Sequence, residues 1–409
     1  MNGTRLFELD NRIRVVHKRL RHSRIVHCGI MINAGTRDEN KLNNGVAHFI
    51  EHAAFNGTER RKAYHILNRV ETVGGELNAF TDKEKIFFYA TALKTYAERV
   101  LELLVDIAFN ATFPQKEMLK EKRVIHEEID MYEDMPEESL FDVFCENAYP
   151  EHPLGYNILG THDTINRLDR EDIFDFVKNN FLESEMVISI VGNITPQKVE
   201  KLISRYLTDK MPHKGEKKRE PCPEMQHFHI SKEKEFQQAY AIYGFPALSY
   251  LENGQISLRL LNSILGGGGM NSRLNMEIRE KFGFVYHIGS NNTAYQDSGH
   301  LTIELATDKQ NLDRCKKLII QELDKLKNKK LGKVQLTQAK RQFMGQAAMA
   351  AESGYTLMHA NARYMLDYNK PFVIEELFEE VEGITAQDLM EIAQQVFDID
   401  KMSTVTYLP

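Results

Sequence analysis

No apolar run in the chain approaches the roughly 18 residues that a membrane helix requires, so no membrane partner is expected. The first residues, Met1-Asn2-Gly3-Thr4-Arg5, run straight into a strand pattern and carry no apolar signal-peptide core. Cysteine is sparse. The four present (28, 145, 222 and 315) are scattered, with no CxxC and no disulfide-framework spacing. Free thiols in a cytoplasmic protein are the expectation. Positive charge is not in excess either. The formal net charge of −7 argues against nucleic acid and is compatible with basic peptides. With 42% apolar and 27% charged residues over 409 positions, the chain has the composition of a globular protein of two or three domains.

Against this background one string carries chemistry: His48-Phe49-Ile50-Glu51-His52. If residues 44–56 are helical, His48 and His52 sit at i and i+4 and project from one face. Neutral imidazoles are preferred zinc ligands, and a catalytic zinc keeps one position open for water. Glu51 borders the same face and is placed to act as general base toward that water. The order HxxEH reverses HExxH and is itself a zinc-peptidase pattern. The plain alternative is a structural helix with two exposed histidines, because short motifs also occur by chance.

A third ligand is sought on residues 114–131. Pro114 suits a first helical turn, and Met118, Leu119, Val124, Ile125 and Ile129 recur at helical spacing. Glu121 and Glu128 lie on one stripe, two turns apart, whereas Glu127 turns away. Glu128 is the better candidate ligand, and Glu121 is suited to orient a ligating histidine. Both could equally be ordinary charges on a solvated helix.

The chain repeats itself. Residues 168–181 followed by 186–191 read as helix then strand, and 384–397 followed by 402–407 repeat them at an offset of 216, matching Asp172 to Asp388 and Phe181 to Phe397. The expected domains are 1–209 and 225–409, joined by an exposed linker at 210–224 that includes Lys214-Gly215-Glu216-Lys217-Lys218-Arg219-Glu220-Pro221. In the second copy Gln335 and Gln342 stand where Glu121 and Glu128 stand in the first, with Arg259 and Ser263 near the histidine positions. Only the first copy should bind metal. Each half reads as α+β, a mixed sheet with helices packed on one face.

Taken together, these features resemble the pitrilysin (inverzincin) family of zinc peptidases, in particular its processing-peptidase branch. The resemblance rests on His48-xx-Glu51-His52, Glu121 and Glu128. Supporting strings are Asp10-Asn11-Arg12-Ile13, Ala34-Gly35-Thr36-Arg37-Asp38-Glu39, Phe55-Asn56-Gly57-Thr58, Gly74-Gly75-Glu76-Leu77-Asn78-Ala79, the four glycines 266–269, and Arg279 with Tyr286. It spans nearly the whole chain. It implies a zinc endopeptidase with one Zn²⁺ per chain, held by His48, His52 and Glu128, with Glu51 as base. It implies that Asn78 and Ala79, on an edge strand beside the zinc, hold the substrate backbone. Residues Gly267 and Gly268 would lie in a substrate-contacting glycine loop, and Arg279 and Tyr286 would reach the substrate carbonyl. It also implies a homodimer enclosing a chamber for peptides or unfolded segments.

For several of these segments a plainer reading stays open. The 74–79 stretch is also a simple hairpin entry, 264–270 a mobile connector, Arg279 a surface residue and Tyr286 a core residue. A non-catalytic partner subunit of the same fold, or a peptide-binding scaffold, is the competing function.

Overall fold

The computed structural model describes residues 3–207 and 213–409. The chain forms two compact units, each assembled from three segments. The first comprises residues 1–130, 156–220 and 350–372, and the second residues 131–155, 221–349 and 373–409.

The first unit holds six strands: β1 (Thr4–Glu8), β2 (Arg14–Arg19), β3 (Ile25–Ile32), β4 (Glu76–Thr81), β5 (Ile86–Leu93) and β6 (Met186–Gly192). They are ordered β1-β2-β6-β3-β5-β4. Only β2 and β6 pair in parallel, so the sheet is mixed, and β4 is an edge strand. Of its helices, α1 (Val46–Ala53) packs against β4, and α2 (Ala63–Glu71) and α3 (Ala97–Asn110) follow. The long α4 (Gln115–Glu133) begins in this unit.

After α5 (Pro136–Ala148), the chain returns with α6 (His162–Arg167), α7 (Arg170–Asn180) and α8 (Pro196–Tyr206). Asp169 caps α7 by accepting from the backbone N–H groups of Glu171 and Asp172.

The second unit repeats the plan with β7 (His229–Glu233), β8 (Ala239–Pro246), β9 (Val285–Ala294), β10 (Gly299–Thr307) and β11 (Ser403–Leu408), ordered β7-β11-β8-β10-β9. Its parallel pair, β7–β11, matches β2–β6 of the first sheet. Helices α9 (Gln255–Leu265), α10 (Leu312–Asn328) and α11 (Lys333–Ala351) come from this half. After α12 (Gly354–Tyr368), α13 (Ile374–Gly383) and α14 (Ala386–Val396) complete it. The expected mixed sheets with helices are thus present in both copies.

The two copies exchange a helix. The chain's second half supplies α12, which packs on β3 and β6 of the first unit. Met358, Ala362 and Met365 there meet Val16, Met31, Phe87, Val187 and Val191. This cover on a second face is why every residue of β6 is buried. The helix ends at Asn369 in the left-handed conformation (φ 53°), and Arg14 of β2 donates to the Met365 carbonyl at 2.8 Å.

Conversely α5, from the first half, packs on β8 and β11 of the second unit. One glycine per copy makes room. A Cβ at Gly29 of β3 would strike the Phe87 ring and reach within 3.3 Å of the Met358 sulfur, and one at Gly244 of β8 would strike the Phe144 ring of α5.

The stretch read as a linker also departs from expectation. Residues 210–212 of it lie outside the described residues. Beyond them the backbone is largely exposed, but Lys217 and Arg219 turn inward to Asp38, at 2.8 and 2.9 Å, with each side chain only 7% exposed. Arg219 also faces Glu84, which pairs with the buried Arg37 at 2.8 Å. Charges taken out of water must be paired, and the acidic partners Asp38 and Glu84 answer these cations. Residues 213–220 therefore pack as part of the first unit.

Candidate metal centre

Helix α1 begins abruptly after Gly45, whose φ of 93° favours glycine. Its first free N–H groups are answered from upstream. Glu39, 5% exposed, accepts from the backbone N–H of Gly45 and of Ala47 and from the Asn44 amide, each at 2.8 Å. A carboxylate at a helix N-terminus satisfies orphan donors and complements the helix dipole. Burial pushes its carboxyl up to about 7, against the pull of these donors and of Lys83. Glu39 fixes the start of the helix that carries the histidines, and sequence reasoning did not single it out.

One turn on, His48 and His52 project from the same side, their ring centroids 4.6 Å apart. Their Nε2 atoms converge on Glu128 Oε2 of α4, at 3.7 and 3.5 Å respectively. One ligand atom from each of the three residues lies within 4.8 Å of the others, the only such cluster among the described residues. A tetrahedral zinc with ligands about 2.0–2.1 Å away separates them by about 3.3–3.5 Å, so the donor set fits the ion with small adjustments.

Protonation also fits at His48. Burial, with His52 adding to it, pushes His48 down to about 3, leaving the neutral imidazole that a metal requires. Burial also acts downward on His52, but the Glu121 hydrogen bond and the charges of Glu128 and Glu51 outweigh it and raise the ring.

The surrounding shell is uneven. His52 Nδ1 lies 3.2 Å from Glu121 Oε2, and the Asn56 amide donates to Glu121 Oε1 at 2.9 Å. That contact orients the ring and leaves Nε2 free to ligate. The hydrogen bond with His52 holds the Glu121 carboxyl below the usual range. His48 Nδ1, in contrast, is buried without a hydrogen-bond partner.

Glu51 is not part of the three-ligand cluster. Burial raises its carboxyl, and the Glu128 charge adds to this while His52 opposes it. A raised carboxyl beside a ligand set is suited to exchange protons. One tyrosine stands near it, and that tyrosine meets a second. The phenol of Tyr89, on β5, is raised by burial, by Tyr355 and by the Glu51 charge. The rings of Tyr89 and Tyr355 are 5.0 Å apart, and Tyr355 arrives on the exchanged helix α12. No sequence signal pointed to Tyr355, because its approach depends on that exchange.

Asn78 and Ala79 lie on the edge strand β4, opposite Tyr89 and Phe88 of β5. Asn78 is exposed, and its side-chain oxygen accepts from the Ala79 N–H at 2.8 Å.

In the second unit Arg279 and Tyr286 come together, the guanidinium 5.9 Å from the ring centroid, and Tyr286 is 82% exposed. Arg279 sits on a π-helical turn, Asn275–Glu280, and Tyr286 on β9. Gly267 and Gly268 follow α9. Gly268 has φ 36°, and a Cβ there would meet nothing within 4 Å. The second copy has no counterpart metal cluster among the described residues. At the equivalent place Ser263, Gln335 and Gln342 line a cavity of about 160 Å³. Asn271 and Gln342 exchange paired amide hydrogen bonds at 2.9 and 3.0 Å.

Two sheets of one plan, with a histidine–carboxylate cluster in the first alone among the described residues, define a two-repeat α+β fold with one candidate metal centre. Family models match both repeats: "Insulinase (Peptidase family M16)" over residues 14–162 and "Peptidase M16 inactive domain" over residues 167–343. The uncharacterized zinc protease YmxG of Bacillus subtilis is 32% identical over 96% of both chains. An uncharacterized zinc protease of Rickettsia felis is 30% identical over 95% of this chain and 94% of its own length. Among solved structures, an M16 inactive-domain protein from Pseudomonas fluorescens superposes with TM-score 0.92 at 19% identity over 100% of this chain and 98% of its own. A Helicobacter pylori protease does so with TM-score 0.92 at 22% identity over the full length of both chains. The chain belongs to peptidase family M16, the pitrilysin family.

Proposed function

We propose that the chain is a zinc-dependent endopeptidase that cleaves peptides or unfolded segments. The observation that carries this reading is the convergence of His48, His52 and Glu128 with Glu51 beside them and outside the ligand set. His48 Nε2, His52 Nε2 and Glu128 Oε2 would hold one Zn²⁺ per chain. When bound, zinc polarises a carbonyl and acidifies water. Glu51 takes a proton from the attacking water and delivers it to the departing amide nitrogen. Glu121 holds His52 in the ligating orientation. The exposed edge of β4 takes an extended peptide by strand addition, with Asn78 and Ala79 nearest the scissile bond.

The reading extends to assembly. Arg279 and Tyr286 are already paired on the surface of the second unit, a cation and a phenol donor suited to a developing oxyanion. In a homodimeric chamber of the processing-peptidase type, each zinc site would face this pair from the other chain. The linear repeats, 1–209 and 225–409 about the 210–224 segment, are proposed as the units of duplication. The four scattered cysteines suit a reducing cytoplasm. No helix among the described residues is long and apolar enough to cross a membrane.

Replacing Glu51 by Gln tests the chemistry. Zinc content should stay at one per chain while hydrolysis of a quenched peptide library falls at least a hundredfold. Wild-type turnover by that variant removes Glu51 from the mechanism. A wild-type chain that binds zinc and peptide without turnover is instead a scaffold subunit. Mixing Arg279→Ala with Glu51→Gln chains should restore part of the activity. An inactive mixture, with subunit exchange verified, rules out the shared site.

A further inference from the structure

The two cations that residues 213–220 return to the interior meet two turns of the first unit. Lys217 Nζ donates to the Asn33 carbonyl and lies 2.8 Å from Asp38 Oδ2, both in the turn between β3 and α1. Arg219 donates to both Asp38 oxygens, from Nε at 3.0 Å and from Nη2 at 2.9 Å. It also reaches the turn between β4 and β5. There Nη2 donates to the Glu84 carbonyl at 3.2 Å, and Nη1 lies 3.4 Å from Glu84 Oε1.

The two turns are pressed against each other. The Arg37 N–H donates to the Lys83 carbonyl at 2.7 Å, and a Cβ at Gly35 would come within 2.4 Å of the Asp82 carbonyl oxygen. Each turn adjoins an element of the candidate centre. Asp38 is followed by Glu39, whose carboxylate accepts from the Gly45 and Ala47 N–H groups and so sets where α1 starts. Residues 82–85 follow β4, the edge strand that carries Asn78 and Ala79.

We infer that Lys217 and Arg219 are positioning residues that fasten the histidine-bearing helix and the peptide-binding edge strand into one frame. The inference rests on the function proposed above. A buried ion pair adds little net stability over apolar residues of like volume. A forked guanidinium does supply directional hydrogen bonds, and these hold its partners in one arrangement. The two cations divide the task. Lys217 acts on the turn that leads to α1, and Arg219 acts on both turns.

The test measures zinc affinity by chelator competition, and kcat and KM on a quenched peptide at saturating zinc, in the full-length chain. Lys217→Met should weaken zinc binding about tenfold, as loss of an outer support does, with KM unchanged. Arg219→Met should weaken zinc binding and also raise KM about fivefold with kcat little changed, the signature of lost ground-state binding. Arg219→Lys keeps a charge for Asp38 without the fork to Glu84, so it should retain zinc affinity and still raise KM. Val199→Ala removes buried bulk from α8 of the same unit. It should lower the thermal midpoint and leave zinc affinity and KM unchanged. Wild-type zinc affinity and KM in both methionine variants overturn the inference, as do losses that Val199→Ala reproduces. Should the methionine variants misfold, Arg219→Lys decides, and an unchanged KM there overturns the inference. A wild-type chain without turnover overturns the proposed chemistry instead. Zinc affinity and binding of a labelled peptide then give the same two readings for the positioning residues.

Discussion

His52 Nδ1 rests 3.2 Å from Glu121 Oε2, while Nε2 of the same ring points at Glu128, 3.5 Å away. One imidazole thus links two carboxylates that α4 presents two turns apart. Glu121 does not belong to the three-residue cluster, and its effect on metal passes through the ring.

Glu121→Ala should therefore leave the fold and the three ligands in place and weaken zinc binding. Loss of such an outer partner weakens metal binding by about 10–100-fold. Competition against a chromogenic chelator measures it. Glu121→Gln should retain part of the affinity, because its amide oxygen still accepts from Nδ1–H.

Removal of Glu39 acts earlier, on the helix itself. Glu39→Ala leaves the N–H groups of Gly45 and Ala47 without their acceptor in a buried setting, and the Asn44 amide with the Asn157 carbonyl alone. The expected loss is about 1–3 kcal/mol of unfolding free energy, measured by urea denaturation. Zinc affinity should fall with it, since α1 carries two of the three proposed ligands.

Gly45→Ala tests the same junction by a different route. The residue has φ 93°, and a Cβ would come within 2.7 Å of the Leu159 carbonyl oxygen and 2.8 Å of Ile165. Backbone strain and overpacking together should cost about 2–4 kcal/mol. A thermal midpoint equal to wild type would show that the turn relaxes.

Asp38 predicts the acid limb of stability. Burial pushes its carboxyl up, but the charges of Lys217 and Arg219 outweigh this and hold it below the ordinary aspartate range. A carboxyl lowered in the folded state stabilises above its unfolded value, and that contribution is lost as pH falls through the lowered one. Asp38→Asn should cost about 3 kcal/mol near pH 7, where two buried cations lose a partner. The gap from wild type should narrow below about pH 4, where the unfolded aspartate takes up a proton. Unfolding curves at several pH values decide it.

How much of this was legible in the sequence follows from the range of each interaction. That His48 shares a face with His52, and Glu121 with Glu128, depends only on helical period, which sequence reports directly; that the two helices meet rested on the family resemblance. The principal strands, such as 25–32 and 186–192, announced themselves as apolar runs bounded by polar residues or glycine. Glu39 was quoted only as part of a string, because its partners lie across a turn that no periodicity describes. Lys217 and Arg219 sit in a stretch with linker composition, and only their distant acidic partners make them interior. Tyr355 required knowing that α12 joins the sheet of the other copy.

That exchange bears on ancestry. A single repeat, folded alone, lacks the helix that covers β3 and β6, since its own copy of that helix serves another sheet. An ancestor with one repeat could bury those strands only by lending its helix to a second molecule and borrowing one in return. Gene fusion would then have tied together two partners that already depended on each other. Cutting the present chain between its halves should give fragments that are stable as a complex and poorly folded apart.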